Sequence, residues 1–405
     1  MSAEGELRLR DILRLPEVRT SIAGTFIIMV GFGILSPILP LYARSFGVGL
    51  DSVGVLVASF SVTRLVIDPF TGVIIRRLGE RRAVVLGAIV VGATTALAAV
   101  APTFTLLVVF RGAGGAGSAI FFTGLLSYML RTIPGDRIGR VMSVWYASFN
   151  VGIIAGQPLG GVFADRLGAV STLWIYAATC FVSAAVFART MRGTGSEPRQ
   201  DRSTGLRRLP WRRPFLAVLL ANGAYAWMIA GVYSTLIPLF GDERVKLSEL
   251  GIGIGLAAAS ITEFAVLFPA GKATDRIGRK AVLVPGYAAM ALALVLWPLA
   301  TTPALFFLAN GIFGLISGYA GVPQAPMLSD VTEDQMRGTA VAVFRFFGDL
   351  GFVLGPLVAG ASADAFGYGA AFSLSAIPLV LAMLFVLTVP ETLRKLPRTG
   401  EAPGF

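Results

Sequence analysis

An all-α membrane protein is expected, with twelve transmembrane helices in two six-helix, pseudo-symmetric bundles, and three observations predict it. Apolar residues fill 55% of the 405 positions and charged ones only 14%, too little polar surface to coat a soluble protein of this size. The apolar runs are each close to the ~20 residues needed to cross a bilayer. The chain also repeats itself. Residues 72–81 (GVIIRRLGER) return as 271–280 (GKATDRIGRK), 199 positions later, and the same offset relates Gly152 to Gly351, Gly156 to Gly355, Asp165 to Asp364 and Gly168 to Gly367. A repeat this long is a duplicated membrane domain, not a solenoid of short units.

Divided at turn signals and charge clusters, the chain gives spans at 18–42, 53–75, 83–101, 104–129, 140–164, 171–190, 214–240, 250–274, 281–300, 303–328, 338–362 and 370–390. The first span is too long for a signal-peptide core and is expected to remain as a helix. Residues 1–190 then form one six-helix bundle and 214–405 the other. Between them, 191–213 is read as a linker, because Arg192, Arg199, Arg202, Arg207, Arg208, Arg212 and Arg213 interrupt the apolar pattern among Gly, Ser and Pro.

Charge sets the orientation and removes several functions. With both termini on one side, most of the 34 Lys and Arg fall in segments on that side, which the positive-inside rule makes cytoplasmic. The net charge of +11 sits where membrane topology alone would put it, so no nucleic-acid partner is called for. The linker's arginines read as a solvated segment beside an anionic leaflet. Cys180 is the only cysteine and there is no histidine. An intramolecular disulfide and His-based catalysis are therefore excluded, and no metal site or cofactor is expected.

The 271–280 loop resembles the G-x-x-x-D-R-x-G-R-[RK] signature of the major facilitator superfamily, and the resemblance extends over all twelve spans. Arg111-Gly-Ala-Gly-Gly-Ala-Gly-Ser-Ala119 is similar to that family's R-x-x-x-G-x-G-x-A element in the fourth span. Gly152, Gly156, Pro158, Gly160 and Gly161 match the fifth-span element of proton-driven drug antiporters. Pro37-Ile-Leu-Pro40 at the end of the first span is another feature of twelve-span drug exporters. In the second copy Asn310 replaces Arg111, so the halves are expected to differ in function.

The resemblance implies that the 72–81 and 271–280 loops are gating motifs, through Gly72, Arg76, Arg77, Gly79 and Glu80 and through Gly271, Asp275, Arg276, Gly278 and Arg279. The first copy departs from the pattern, with Arg76 in place of the family's Asp and Glu80 in place of its Arg. A mutual salt bridge survives such a swap. A contact of Asp with a helix N-terminus does not, because that end favours negative charge.

Charges at bilayer depth cost roughly 2.5–3.5 kcal/mol even on lenient scales, so they mark pathways or pairs. Six stand out: Arg64, Asp68, Arg111, Glu263, Arg345 and Asp349. Arg64/Asp68 and Arg345/Asp349 are spaced i, i+4, so each pair can neutralise itself on one helix face. In the family the two helices concerned face each other, which would merge the pairs into one interdomain cluster and give the acids a protonation role. Both readings are open. Glu263 has no basic residue three or four positions away, and it is either a proton or cation site or the partner of an arginine on another helix. The resemblance implies that Arg111 assists proton transfer, and that spans one, four, seven and ten line the cavity. Phe26, Phe32, Phe121, Tyr225, Trp227 and Tyr233 are the aromatic candidates there.

The sequence reading is thus a secondary transporter that exchanges a small amphipathic compound for protons by alternating access, working as a monomer in a bacterial cytoplasmic membrane. No G-x-x-x-x-G-K-[ST] loop is present, so energy must come from a gradient. The alternative within transport is a facilitator or symporter importing a sugar, organic acid or other nutrient. A membrane enzyme or sensor lacks both a nucleophile–base pair and a signalling domain.

Overall fold

A computed structural model describes residues 16–133, 135–191 and 209–393. Most of the expected linker lies outside the described residues. All regular structure in the described residues is helical: α1 (Pro16–Leu35), α2 (Leu39–Arg44), α3 (Leu50–Leu78), α4 (Glu80–Ala99), α5 (Phe104–Thr132), α6 (Gly135–Leu167) and α7 (Val170–Thr190) in the first half. The second half has α8 (Arg213–Trp227), α9 (Ile237–Glu243), α10 (Glu249–Ile277), α11 (Arg279–Leu296), α12 (Pro303–Gly321), α13 (Gln324–Val331) and α14 (Arg337–Leu387). Apolar runs in lipid must satisfy their backbone polar groups internally, which is why such sequences become helices.

Ten helices among the described residues are long and apolar enough to cross a membrane. The difference from twelve has two sources. The 33-residue α6 is not among the ten, and α14 runs for 51 residues but breaks at Gly367 (φ 79°) into two arms. The expected first span also divides, since the Ser36–Ile38 turn separates α1 from α2. Between α8 and α9 a nine-residue π-helical segment, Met228–Leu236, keeps the seventh span continuous.

Local chemistry repeats with the sequence. Thr103 caps α5 by accepting from Leu106 N, and Thr302, 199 positions on, caps α12 by accepting from Leu305 N. Positive φ at Gly79 and Gly278 turns the chain at one end of the molecule, called the motif end here, and Gly168 and Gly367 do so at the far end. Within the halves α3 packs on α5, as α10 does on α12. A Cβ at Gly115 would fall on the carbonyl oxygen of Phe60, and one at Gly314 on that of Ala259, so small residues set both approaches. The halves meet along two seams, α3 against α14 and α6 against α10.

Large apolar side chains such as Phe70, Leu130, Phe268, Leu299 and Leu381 face outward and exposed. A surface of this kind suits lipid rather than water.

Candidate functional site

A cavity of about 480 Å³ opens where the seams meet, lined from the first half by Arg64, Asn150 and Ile153 and from the second mainly by Asn222, Tyr225, Tyr233, Ser260, Glu263, Gln324, Arg345 and Asp349. α14 rises from the motif end and contributes Phe344, Arg345, Gly348, Asp349 and Phe352, which places the cavity between mid-depth and that end.

The charged residues cross the seam. Arg64 Nη2 lies 2.9 Å from Asp349 Oδ1, and Arg345 Nη2 lies 3.7 Å from Asp68 Oδ2. The i, i+4 self-pairing open to the sequence is thus replaced by exchange of partners between helices. α3 and α14 run antiparallel and meet face to face, so each arginine reaches the acid opposite more easily than the one along its own axis. Asp349 is nearly fully buried, whereas Arg64 remains about one-third exposed to the cavity.

Glu263 lies on α10 and accepts from Tyr225 Oη at 3.2 Å; the same hydroxyl is 2.9 Å from Ser317 Oγ. Tyr233 sits deeper. Its hydroxyl accepts from Gln157 Nε2 of α6 at 2.7 Å, donates to Leu256 O at 2.9 Å and lies 2.8 Å from Ser260 Oγ. This hydroxyl joins the two halves at the closed end of the cavity. Tyr233 stands in the π-helical segment, a feature common at functional sites.

The remaining sequence candidates are placed elsewhere. Arg111 is buried in the first half, its guanidinium carbon 4.1 Å from the centre of the Phe60 ring. Asn310 at the equivalent position donates to Phe306 O in its own helix. Phe121 is fully buried against Phe122 and Phe187, and Phe32 packs edge-on to Tyr176. Phe26, 38% exposed, and Trp227 are not among the residues lining the cavity. Of the six aromatics singled out, Tyr225 and Tyr233 line it.

Gly152, Gly156 and Gly160 press α6 onto α1, where Cβ atoms would overlap Met29, Val30 O and Ile34 O, and Gly161 meets Leu250 of α10. Pro158 lies inside α6. The fifth-span element therefore forms packing surfaces on both sides of α6.

The two loop motifs sit at the motif end, with Gly72, Arg76, Arg77, Asp275 and Arg276 exposed and Gly271 half-buried. In the second copy Arg279 Nε donates to Asp330 Oδ2 at 2.9 Å and its Nη1 to Asp275 Oδ1 at 2.9 Å. In the first copy Glu80 accepts from Arg131 Nη1 at 2.6 Å and from Ser127 Oγ at 3.3 Å. Glu80 and Arg279 are 199 positions apart, and so are Arg131 and Asp330. The sign swap is therefore compensated by a second swap on the neighbouring helix. Arg81 donates to Ala188 O just as Lys280, 199 positions on, donates to Leu387 O at 2.8 Å.

Two helical bundles around a membrane-depth cavity, joined by charge pairs across a seam, define a multi-pass membrane transporter. The sequence profile of the Major Facilitator Superfamily matches residues 22–259 and 243–404. The chain belongs to that superfamily, whose members are transporters and not enzymes. It is 30% identical over 356 residues to the class C tetracycline resistance protein of Escherichia coli, covering 81% of this chain and 85% of that one. It is 24% identical to the human chromaffin granule amine transporter, over 79% of this chain and 61% of that one. With the quinolone resistance protein NorA of Staphylococcus aureus it shares 25% identity over 60% of this chain and 62% of that one. Among solved structures, a bacterial homolog of the human lysosomal transporter Spinster, inward-facing and occupied, superposes with a TM-score of 0.77 at 15% identity, covering 95% and 97% of the two chains. The nucleoside transporter NupG gives 0.74 at 14% identity over 92% of this chain and 100% of that one.

Proposed function

We propose that the protein exports small amphipathic compounds in exchange for protons, by alternating access to the cavity between the halves. In this reading it crosses the membrane twelve times as a monomer, with both termini in the cytoplasm and the motif end facing inward. The observation that carries it is Glu263. A carboxylate at bilayer depth, lining a cavity and held by a tyrosine hydroxyl, is suited to take up a proton or the cationic group of a substrate. The cross-seam pairs support the same reading: an acid that gains a proton releases its arginine, and the seam between the halves loosens. The named roles of the tetracycline and quinolone resistance relatives favour export of drug-like compounds.

The test is proton flux in proteoliposomes under an imposed pH gradient, screened with lipophilic cations, neutral drugs and sugars, for the parent and Glu263→Gln. Substrate-evoked flux that disappears in Glu263→Gln supports an antiporter coupled at Glu263. Unchanged flux moves coupling to Asp68 or Asp349. Flux evoked by sugars alone would overturn export in favour of nutrient uptake.

A further inference from the structure

At the far end of the molecule one kind of contact between the halves occurs twice, at positions related by the duplication. α3 starts at Leu50 behind Gly49, an N-cap with no side chain to accept from the first turn. The acceptor comes from the other half: Asp364 Oδ1 takes Leu50 N–H at 3.0 Å. α10 starts at Glu249, where Ser248 accepts from Gly251 N. Asp165, from the first half, accepts from Glu249 N at 3.1 Å with one oxygen and from Leu250 N at 3.2 Å with the other. Asp165 and Asp364 are 199 positions apart, as are Leu50 and Glu249. Each half thus lends one carboxylate to the start of the other half's helix.

A helix start presents unpaired N–H groups and the positive end of the macrodipole, so a charged acceptor there is the stronger kind. The seams beside these caps are tight. A Cβ at Gly360 would overlap Leu50 O, and Cβ atoms at Gly54, Gly161 and Gly253 would overlap Pro356 O, Leu250 and Gln157 O. Arg44 and Glu243 add an ion pair across the same end at 3.2 Å. Any opening of this end that parts α3 from α14 and α6 from α10 would break both caps.

We propose that Asp165 and Asp364 are gate-positioning residues, a reciprocal pair of carboxylate caps that holds the far end shut and must release together before that end opens. The proposal rests on the alternating-access reading, but its test does not depend on the substrate or on coupling.

The full-length protein carrying Asn150→Cys as a cavity reporter is labelled with an impermeant maleimide added to either face of sealed vesicles; Cys180 is buried and contributes little background. Asp165→Ala and Asp364→Ala should each raise far-side labelling about fivefold, the range in which helix caps act, and the double variant should multiply the two. Asp→Asn keeps an acceptor and loses the charge, so it should fall between. Motif-end labelling that matches the parent certifies a folded protein. Far-side labelling of the double Ala variant equal to the parent's overturns the proposal. If that variant fails to fold, the double Asn variant decides in the same way. A rise in labelling in these variants, together with no drug-evoked proton flux in the parent protein that keeps Asn150, would leave the gate standing and remove the antiporter reading.

Discussion

Arg64 reaches across the interface to Asp349 and not to Asp68, which is four residues along its own helix; Asp68 is met instead by Arg345 from the opposite half. Ion pairing at this depth is therefore a property of the assembled halves. Removing one partner of a buried pair leaves an uncompensated charge, at a typical cost of about 3–5 kcal/mol, reduced here by the exposure of Arg64. Asp349→Ala should lower thermal stability and abolish transport. The exchange Arg64→Asp with Asp349→Arg should recover a substantial part of the stability, read by thermal unfolding in detergent.

Glu80 and Arg131 support a similar exchange. Glu80→Arg should place two cations together at the motif end and lower the unfolding temperature. Adding Arg131→Asp would give the first half the same charge order as Arg279 and Asp330 and should restore it. The double-mutant cycle should show a favourable coupling of about 1 kcal/mol or more.

Tyr225→Phe removes a hydroxyl shared by Glu263 and Ser317 while leaving the ring. The expected effect is about fivefold on the apparent affinity for substrate, corresponding to one hydrogen bond of about 1 kcal/mol. Binding titrations on the purified protein check it.

Gly314 and Gly311 lie in the same helix and should respond oppositely. A Cβ at Gly314 would collide with the backbone of Ala259, whereas Gly311 has open space. Gly314→Ala should destabilise the protein, and Gly311→Ala should be neutral or add up to about 1 kcal/mol from helix propensity.

Glu391 makes a pH prediction outside the membrane. Burial alone would raise its pKa, but backbone N–H donation from Leu393, Arg279, Lys280 and Thr392 outweighs that and holds it below the usual carboxylate value. A carboxyl depressed in the folded state adds stability above its unfolded pKa, and that stability is lost as pH falls through the folded value. Glu391→Gln should flatten the acid limb of unfolding temperature against pH below about pH 4.

The helices and the duplication were legible because hydropathy and repeat spacing are local properties of the chain. The break at Gly367 was legible as well, since the expected spans 338–362 and 370–390 part around it, whereas the π segment around Tyr233 left no pattern that composition could show. Partner choice was harder still. The i, i+4 spacing of Arg64 and Asp68 is real, yet packing of α3 on α14 supplied a better-placed acid. The aromatics divided for the same reason, since Phe121 and Tyr225 look alike as sequence but face a core and a cavity respectively. A usable signal was present in the 199-residue offset. Applied to Asp349, it leads to Asn150, which lines the cavity with Glu263, itself the counterpart of Arg64.

The reversed pairs, Glu80 with Arg131 and Arg279 with Asp330, also bear on how such chains are recognised. Residue identity and charge at position 80 differ between the two loops, while the product of the two partners' charges is negative in both. What the two copies share is the sign of that product. Two ancestral copies can drift to opposite signs by paired substitutions, and a comparison that scores partners jointly would see one inherited contact where single columns see a loss.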